Sequence, residues 1–134
     1  MQVVDDTALK LLLPTATVEE ISNRIGDSIP LNVLGMRQNI LVKWEHSEAE
    51  TLAVCLDRQR PDNHIEIPSP MLRDYDWPGI FTPFDHQKET ASFLSIRPRS
   101  FCFNQAGTGK TSAAIWAADY LMKIGKVNKV LVIC

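Results

Sequence analysis

The stretch Phe101-Cys-Phe-Asn-Gln-Ala-Gly-Thr-Gly-Lys-Thr111 leaves the backbone few choices. An apolar segment, Ser100 to Phe103, reads as a strand; a glycine-punctuated turn follows, and a helix is expected from about Lys110 to Lys123. Gly107 and Gly109 let the chain turn tightly and approach a ligand with no side chain in the way, so that successive N–H groups point at an anion. Lys110 supplies a mobile cation for β and γ phosphates, and Thr111 a hydroxyl for Mg²⁺. The helix start adds its unpaired N–H groups and the positive end of its dipole. The strict phosphate-loop pattern places a glycine five residues before Gly109, where this chain has Asn104. The match is therefore to the looser form, whose turn rests on Gly107 and Gly109.

Beyond the helix, Gly125 is a natural stop, and Val127 to Cys134 is a continuous apolar run of the kind expected for a strand covered on both faces of a parallel sheet. Strand, helix and strand would form a right-handed β-α-β unit.

The first 60 residues read differently. Ala8 to Leu13 and Asn39 to Trp44 are strand-like. Thr17 to Glu20 and Ser47 to Glu50 have the spacing of capping boxes. Val18, Ile21 and Ile25 mark one helix, ended by Gly26, and Ala49, Leu52, Ala53 and Leu56 mark another. Pro30 to Arg37 is ambiguous. These units make a small α+β module over residues 1–60.

Five prolines between Pro61 and Pro83 fix φ and remove donors, so residues 61–83 read as an extended connector. Its apolar content, including Tyr75, Trp77, Ile80 and Phe81, is too high to stay in water, and the connector is expected to dock its aromatics. Residues 84–134 then hold the phosphate loop, with Asp85 as cap of a helix from His86 to about Leu94 whose Phe93 and Leu94 face the core.

Composition narrows the function classes. A net charge of −2 argues against a protein that coats nucleic acid through bulk charge. The three cysteines, Cys55, Cys102 and Cys134, are odd in number and widely spaced, which matches neither a disulfide framework nor a zinc site. No segment has the length and apolarity of a membrane span, and the N-terminus lacks a signal-peptide layout, so a cytoplasmic location is expected. His46, His64 and His86 have no ligand or catalytic partners in sequence; Trp44, Trp77 and Trp116 read as core or docking residues. Arg97, Arg99, Lys123, Lys126 and Lys129 are candidates for phosphate-backbone contacts or for a solvated rim.

Phe81-Thr-Pro-Phe-Asp-His-Gln87, the loop ending at Thr111, Trp116 to Leu121 and Lys129 to Cys134 together resemble the start of a superfamily 2 helicase motor. The likeness is to the Swi/Snf-type helicases of tailed bacteriophages, and it covers Tyr75 to Cys134. It implies α/β architecture, the first β-α-β of a RecA-like domain, with adenine read by Gln87 and packed by Phe84 or Phe81. The cofactor-binding residues implied are Gln87, Ala106, Gly107, Thr108, Gly109, Lys110 and Thr111, with ATP and Mg²⁺ as cofactors and Thr111 as metal ligand. DNA is the partner of the parent motor, in the host cytoplasm if phage-encoded.

Such motors hydrolyse ATP with an Asp-Glu pair on a later strand and with arginines of a second RecA-like domain. Neither element is in these 134 residues, so no catalytic residue is assigned and binding without efficient turnover is expected. The resemblance also implies that later strands separate the two strands of the β-α-β; without them the sheet either closes differently or leaves edges exposed. Two other readings are a nonenzymatic protein- or DNA-interaction module carrying a vestigial loop, and a different P-loop NTPase such as a kinase. Gln87 speaks against the latter.

Overall fold

Period-two burial organises the N-terminal half. In the computed structural model, which describes residues 1–59 and 65–133, strand β2 (Ala8–Pro14) buries Leu9, Leu11 and Leu13 and turns Lys10 and Leu12 outward. Its neighbour β4 (Arg37–Lys43) buries Ile40 and Val42 toward the same side, in register with Leu11 and Leu9. The short strand β1 (Gln2–Val4) and strand β3 (Ser28–Leu34) complete an antiparallel sheet of order β1-β2-β4-β3. Helices α1 (Thr15–Arg24) and α2 (His46–Gln59) supply Val18, Ile21, Ala49, Leu52, Ala53 and Cys55, each at most 1% exposed. These elements belong to a compact unit spanning Met1–Ile67; a second spans Pro68–Cys134. Expectations for residues 61–64, His64 among them, and for Cys134 lie outside the described residues.

The ambiguous segment from Pro30 resolves into β3 and a two-residue hairpin turn, in which Gly35 takes φ 64° and Leu34 pairs with Arg37. Strand β1 was not expected: three residues are too short to carry a periodic signal. It is joined to β2 by a tight turn that holds Asp5 and Asp6 at φ 50° and 53°. On β3, which among the described residues pairs only with β4, Ile29, Val33 and Leu34 are more than half exposed.

Neither capping box forms. Helix α1 begins at Thr15 behind Pro14, two residues before the expected cap, and the Thr17 hydroxyl lies 2.6 Å from Gln59 Oε1. Glu20 is instead paired with Arg24 at 3.0 Å and accepts a hydrogen bond from Gln59. Helix α2 starts before Ser47, because the Glu45 carbonyl already accepts the Ala49 N–H at 2.9 Å. A capping box needs its hydroxyl residue outside the helix, and both candidates are inside.

The second unit contains a one-turn helix α3 (Met71–Asp74), α4 (Asp85–Ile96) and α5 (Lys110–Lys123). Its core is Met71, Tyr75, Ala91, Ala113, Ala117 and Tyr120, with Trp77, Leu94, Trp116 and Leu121 packed around it. Three buried serines tie the proline-rich segment to α4. The Ser69 N–H donates to Ser92 Oγ at 3.0 Å, the Met71 N–H donates to Ser69 Oγ at 3.2 Å, and Ser95 Oγ lies 2.7 Å from Ser69 Oγ. In an apolar setting each of these groups needs its partner, since an unpaired one costs about 1–3 kcal/mol.

Aromatic packing completes the docking. Tyr75 meets Trp77 and Tyr120 edge to face, with centroids at 5.2 and 6.0 Å, and the Trp116 indole donates to the Pro78 carbonyl at 3.0 Å. The docking stops there: Ile80 and Phe81 are 94% and 82% exposed, contrary to expectation. On α4, Ala91, Ser92, Ser95 and Ile96 form the buried face, while Phe93 and Leu94 are half-buried.

The Tyr75 hydroxyl donates to Asp119 at 2.7 Å, and Lys123 lies 3.1 Å from Asp119 and 3.3 Å from Asp76. The hydroxyl, and after it Lys123, hold the Asp119 carboxyl below the usual range, while burial above all pushes the Tyr75 phenol up. A depressed folded-state pKa contributes stability that is present above the unfolded value, about 3.9, and is lost as pH falls through the folded one. The melting temperature is therefore expected to drop below about pH 4, and Asp119→Asn to flatten that acid limb. A pH series of thermal melts on both proteins checks this, and an unchanged acid limb in Asp119→Asn would count against it.

No strand is formed among the described residues of the second unit, which corrects the expected β-α-β. Residues 101–105 and 129–133 carry no ladder, and Phe101, Phe103, Leu131, Val132 and Ile133 are 76–90% exposed. A strand exists only through a neighbour that takes its N–H and C=O groups. These two runs have none, so neither expected alternative arises: among the described residues no sheet forms here to close differently or to expose an edge.

Candidate functional site

Sequence makes the loop by two glycines. Gly107 and Gly109 take φ 79° and 80°, the left-handed region in which a side chain is strained, and Gly109 is the N-cap of α5. The helix then runs 14 residues and closes on a paired C-terminal turn. There the Lys126 N–H bonds the Leu121 carbonyl at 2.9 Å, and the N–H of Gly125, at φ 75°, bonds that of Met122 at 3.0 Å. One helix end is thus satisfied by the backbone, whereas the other presents its first N–H groups, with the dipole's positive end, to the loop.

Within the loop, the Lys110 ammonium donates to the Asn104 and Gln105 carbonyls at 2.7 and 2.9 Å. The Thr108 hydroxyl donates to the Gln105 carbonyl at 2.8 Å. Ala106 is exposed at the turn, and Thr111 is exposed in the first turn of α5. The six loop residues named from sequence are therefore contiguous around one turn, with a cation held across it.

Gln87 sits against this loop. Its Nε2 donates to the Thr108 carbonyl at 3.3 Å, and a Cβ built on Gly109 would fall 2.1 Å from that nitrogen. Glycine at 109 is thus favoured by its backbone conformation, and a larger residue there would also displace the Gln87 amide. At its other end Gln87 Oε1 accepts the Phe84 N–H at 3.1 Å, so glutamine, and not Asp85, satisfies the N-terminus of α4.

Three residues of the site were not singled out as part of it from sequence. His86 Nε2 lies 3.2 Å from the same Thr108 carbonyl. Asn104, at the position where the strict pattern has glycine, donates from Nδ2 to Thr90 Oγ1 at 3.0 Å, and Thr90 Oγ1 in turn donates to the His86 carbonyl at 2.8 Å. The available signal was the spacing of His86, Gln87 and Thr90, which places them on adjoining faces of a helix whose buried residues begin at Ala91. Phe84 and Phe81 are exposed, and Phe84 stacks on His86 with ring centroids 5.7 Å apart.

The donor set fits a nucleotide polyphosphate: an open glycine turn, since a Cβ on Gly107 would meet nothing within 4 Å, one lysine and a helix N-terminus. For Mg²⁺ the chain offers the Thr111 hydroxyl; no cluster of three His, Cys, Asp or Glu suited to a metal occurs among the described residues. The ion would be held mainly by phosphate oxygens, as is usual for magnesium, whose positive charge offsets theirs. Elsewhere, Lys123 is paired with Asp76 and Asp119, and Arg97 lies over the Phe93 ring at 4.4 Å. Cys55 is buried, and burial pushes its thiol up. No helix of the described residues is long and apolar enough to cross a membrane.

No known protein family, curated protein or solved structure matches this chain.

Proposed function

We propose that residues 84–111 are the nucleotide site of an ATP-dependent DNA helicase or translocase of the superfamily 2, Swi/Snf-type kind found in tailed bacteriophages, built on a RecA-like domain. The observation that carries the reading is the placement of Gln87 on the phosphate loop, 3.3 Å from the Thr108 carbonyl and against Gly109. The resemblance implies that an upstream glutamine reads adenine, and a carboxamide suits that role because it both donates and accepts, as the adenine edge does. Lys110 and the N–H groups from Gly107 to Lys110 then hold phosphates, and Thr111 contributes to the magnesium shell. The 134 residues contain no Asp-Glu pair at the end of an apolar strand, so this chain binds and does not turn over.

Calorimetric titration of the chain with Mg-ATP, Mg-GTP and inorganic tripolyphosphate tests this. ATP is expected to bind more tightly than GTP, with no phosphate released over hours. Equal affinity for both nucleotides would remove the adenine reading, and absence of binding would remove the site. The exposed apolar side chains of β3 favour the alternative of an interaction module. That alternative gains if no nucleotide binds.

A further inference from the structure

We propose that His86 is a positioning residue of the phosphate loop, holding the Thr108 carbonyl so that the loop keeps its anchor on α4 when Gln87 gives up its own contact to read a base. This rests on the nucleotide reading above. A carbonyl oxygen can only accept, so its contact with His86 at 3.2 Å assigns the hydrogen to Nε2. With Gln87 Nε2 at 3.3 Å, two donors occupy the two lone pairs of one oxygen.

That oxygen controls a specific donor. The Thr108–Gly109 peptide is planar and trans, so its N–H points opposite to its C=O. Holding the carbonyl toward α4 therefore turns the Gly109 N–H away from α4, at the start of α5. If the carbonyl lost both partners, the peptide would be free to rotate about its flanking bonds, and glycine's breadth of allowed conformations makes that rotation easy.

Gln87 shares its amide: one Nε2 hydrogen is on Thr108 and one Oε1 lone pair takes the Phe84 N–H, which leaves one donor and one lone pair for a base edge. A base that draws the amide toward itself lengthens the Thr108 contact, already 3.3 Å. His86 has no such second duty, and it is braced: its ring stacks on Phe84 at an interplanar angle of 9°, and its carbonyl accepts the Thr90 hydroxyl at 2.8 Å. The pair divides the work, with one side chain released to the base and one retained on the loop.

The test uses the whole chain with Mg-ATP and with tripolyphosphate, which lacks a base, in wild type, His86→Ala, His86→Gln and Gln87→Ala. It also follows the Gly109 amide resonance in ¹H–¹⁵N spectra of the ligand-free proteins. His86→Ala is expected to weaken ATP by about three- to tenfold, the worth of one net hydrogen bond, and tripolyphosphate less, because without a base Gln87 stays on the Thr108 carbonyl; it is also expected to move the Gly109 resonance. His86→Gln, which keeps a donor, restores both. Gln87→Ala weakens ATP more than tripolyphosphate. Wild-type affinity for ATP in His86→Ala, or a Gly109 resonance that stays in place, overturns the assignment. If the wild-type chain binds neither ligand, the nucleotide reading falls, and the Gly109 resonance still decides whether His86 orients the loop.

Discussion

Lys110→Ala is expected to lower the affinity for Mg-ATP by about ten- to hundredfold, the loss of a charge-assisted contact worth about 1.5–3 kcal/mol. Its ammonium rests on the Asn104 and Gln105 carbonyls at 2.7 and 2.9 Å, both on exposed residues of the loop. Phosphate oxygens carry full negative charge and outcompete neutral carbonyls for it. The ligand-free protein should melt close to the wild-type temperature, since the two carbonyls it leaves are open to water. Added ATP raises the melting temperature of wild type in proportion to RT ln(1 + [L]/Kd), and that rise should vanish in the variant at ligand levels near the wild-type Kd. Thermal shift with and without ATP reads both quantities. A variant that keeps the full ATP-induced rise would show that the loop is not where phosphate binds.

Tyr75→Ala should be the most damaging single change to the second unit, costing about 3–5 kcal/mol, as large-to-small aromatic truncations do. Its ring is 5% exposed and touches Trp77 and Tyr120, Lys123 lies 4.9 Å over it, and its hydroxyl donates to Asp119. Removing it undocks the segment that the serines hold only from Ser69 to Met71. Tyr75→Phe keeps the ring and loses only the hydroxyl bond, with an expected cost near 1 kcal/mol. Urea unfolding of the two variants separates ring from hydroxyl. Equal costs would mean that the ring is not the anchor.

What could be read from sequence followed from strictly local rules. Leu9, Leu11 and Leu13 alternate, Ala49, Leu52, Ala53 and Leu56 share a helical face, and Gly107, Gly109 and Gly125 each sit at positive φ where the turn demanded it. Most misses have a different cause, the presence or absence of distant partners. Gln59, 42 positions away, takes the Thr17 hydroxyl. The start of α2 is a local miss: its first turn closes on Glu45, two residues before Ser47. The apolar runs at 101–103 and 130–133 have strand composition, but composition cannot supply a partner. In the site, the turn of Gly107 and Gly109 was legible because it is contiguous, whereas Gln87 came from the resemblance, its partner Thr108 lying 21 residues away. His86 and Asn104 were not legible, because their partners lie 22 and 14 residues away.

The bare run from Val130 to Ile133 has a colloidal consequence. Four consecutive apolar residues without charge or proline, with open backbone groups, are a template for pairing between molecules. Lys126 and Lys129 precede the run and act as gatekeepers through mutual repulsion between chains. Protein concentration and ionic strength thus act together: salt screens the lysines, so the concentration at which turbidity first appears falls as salt rises.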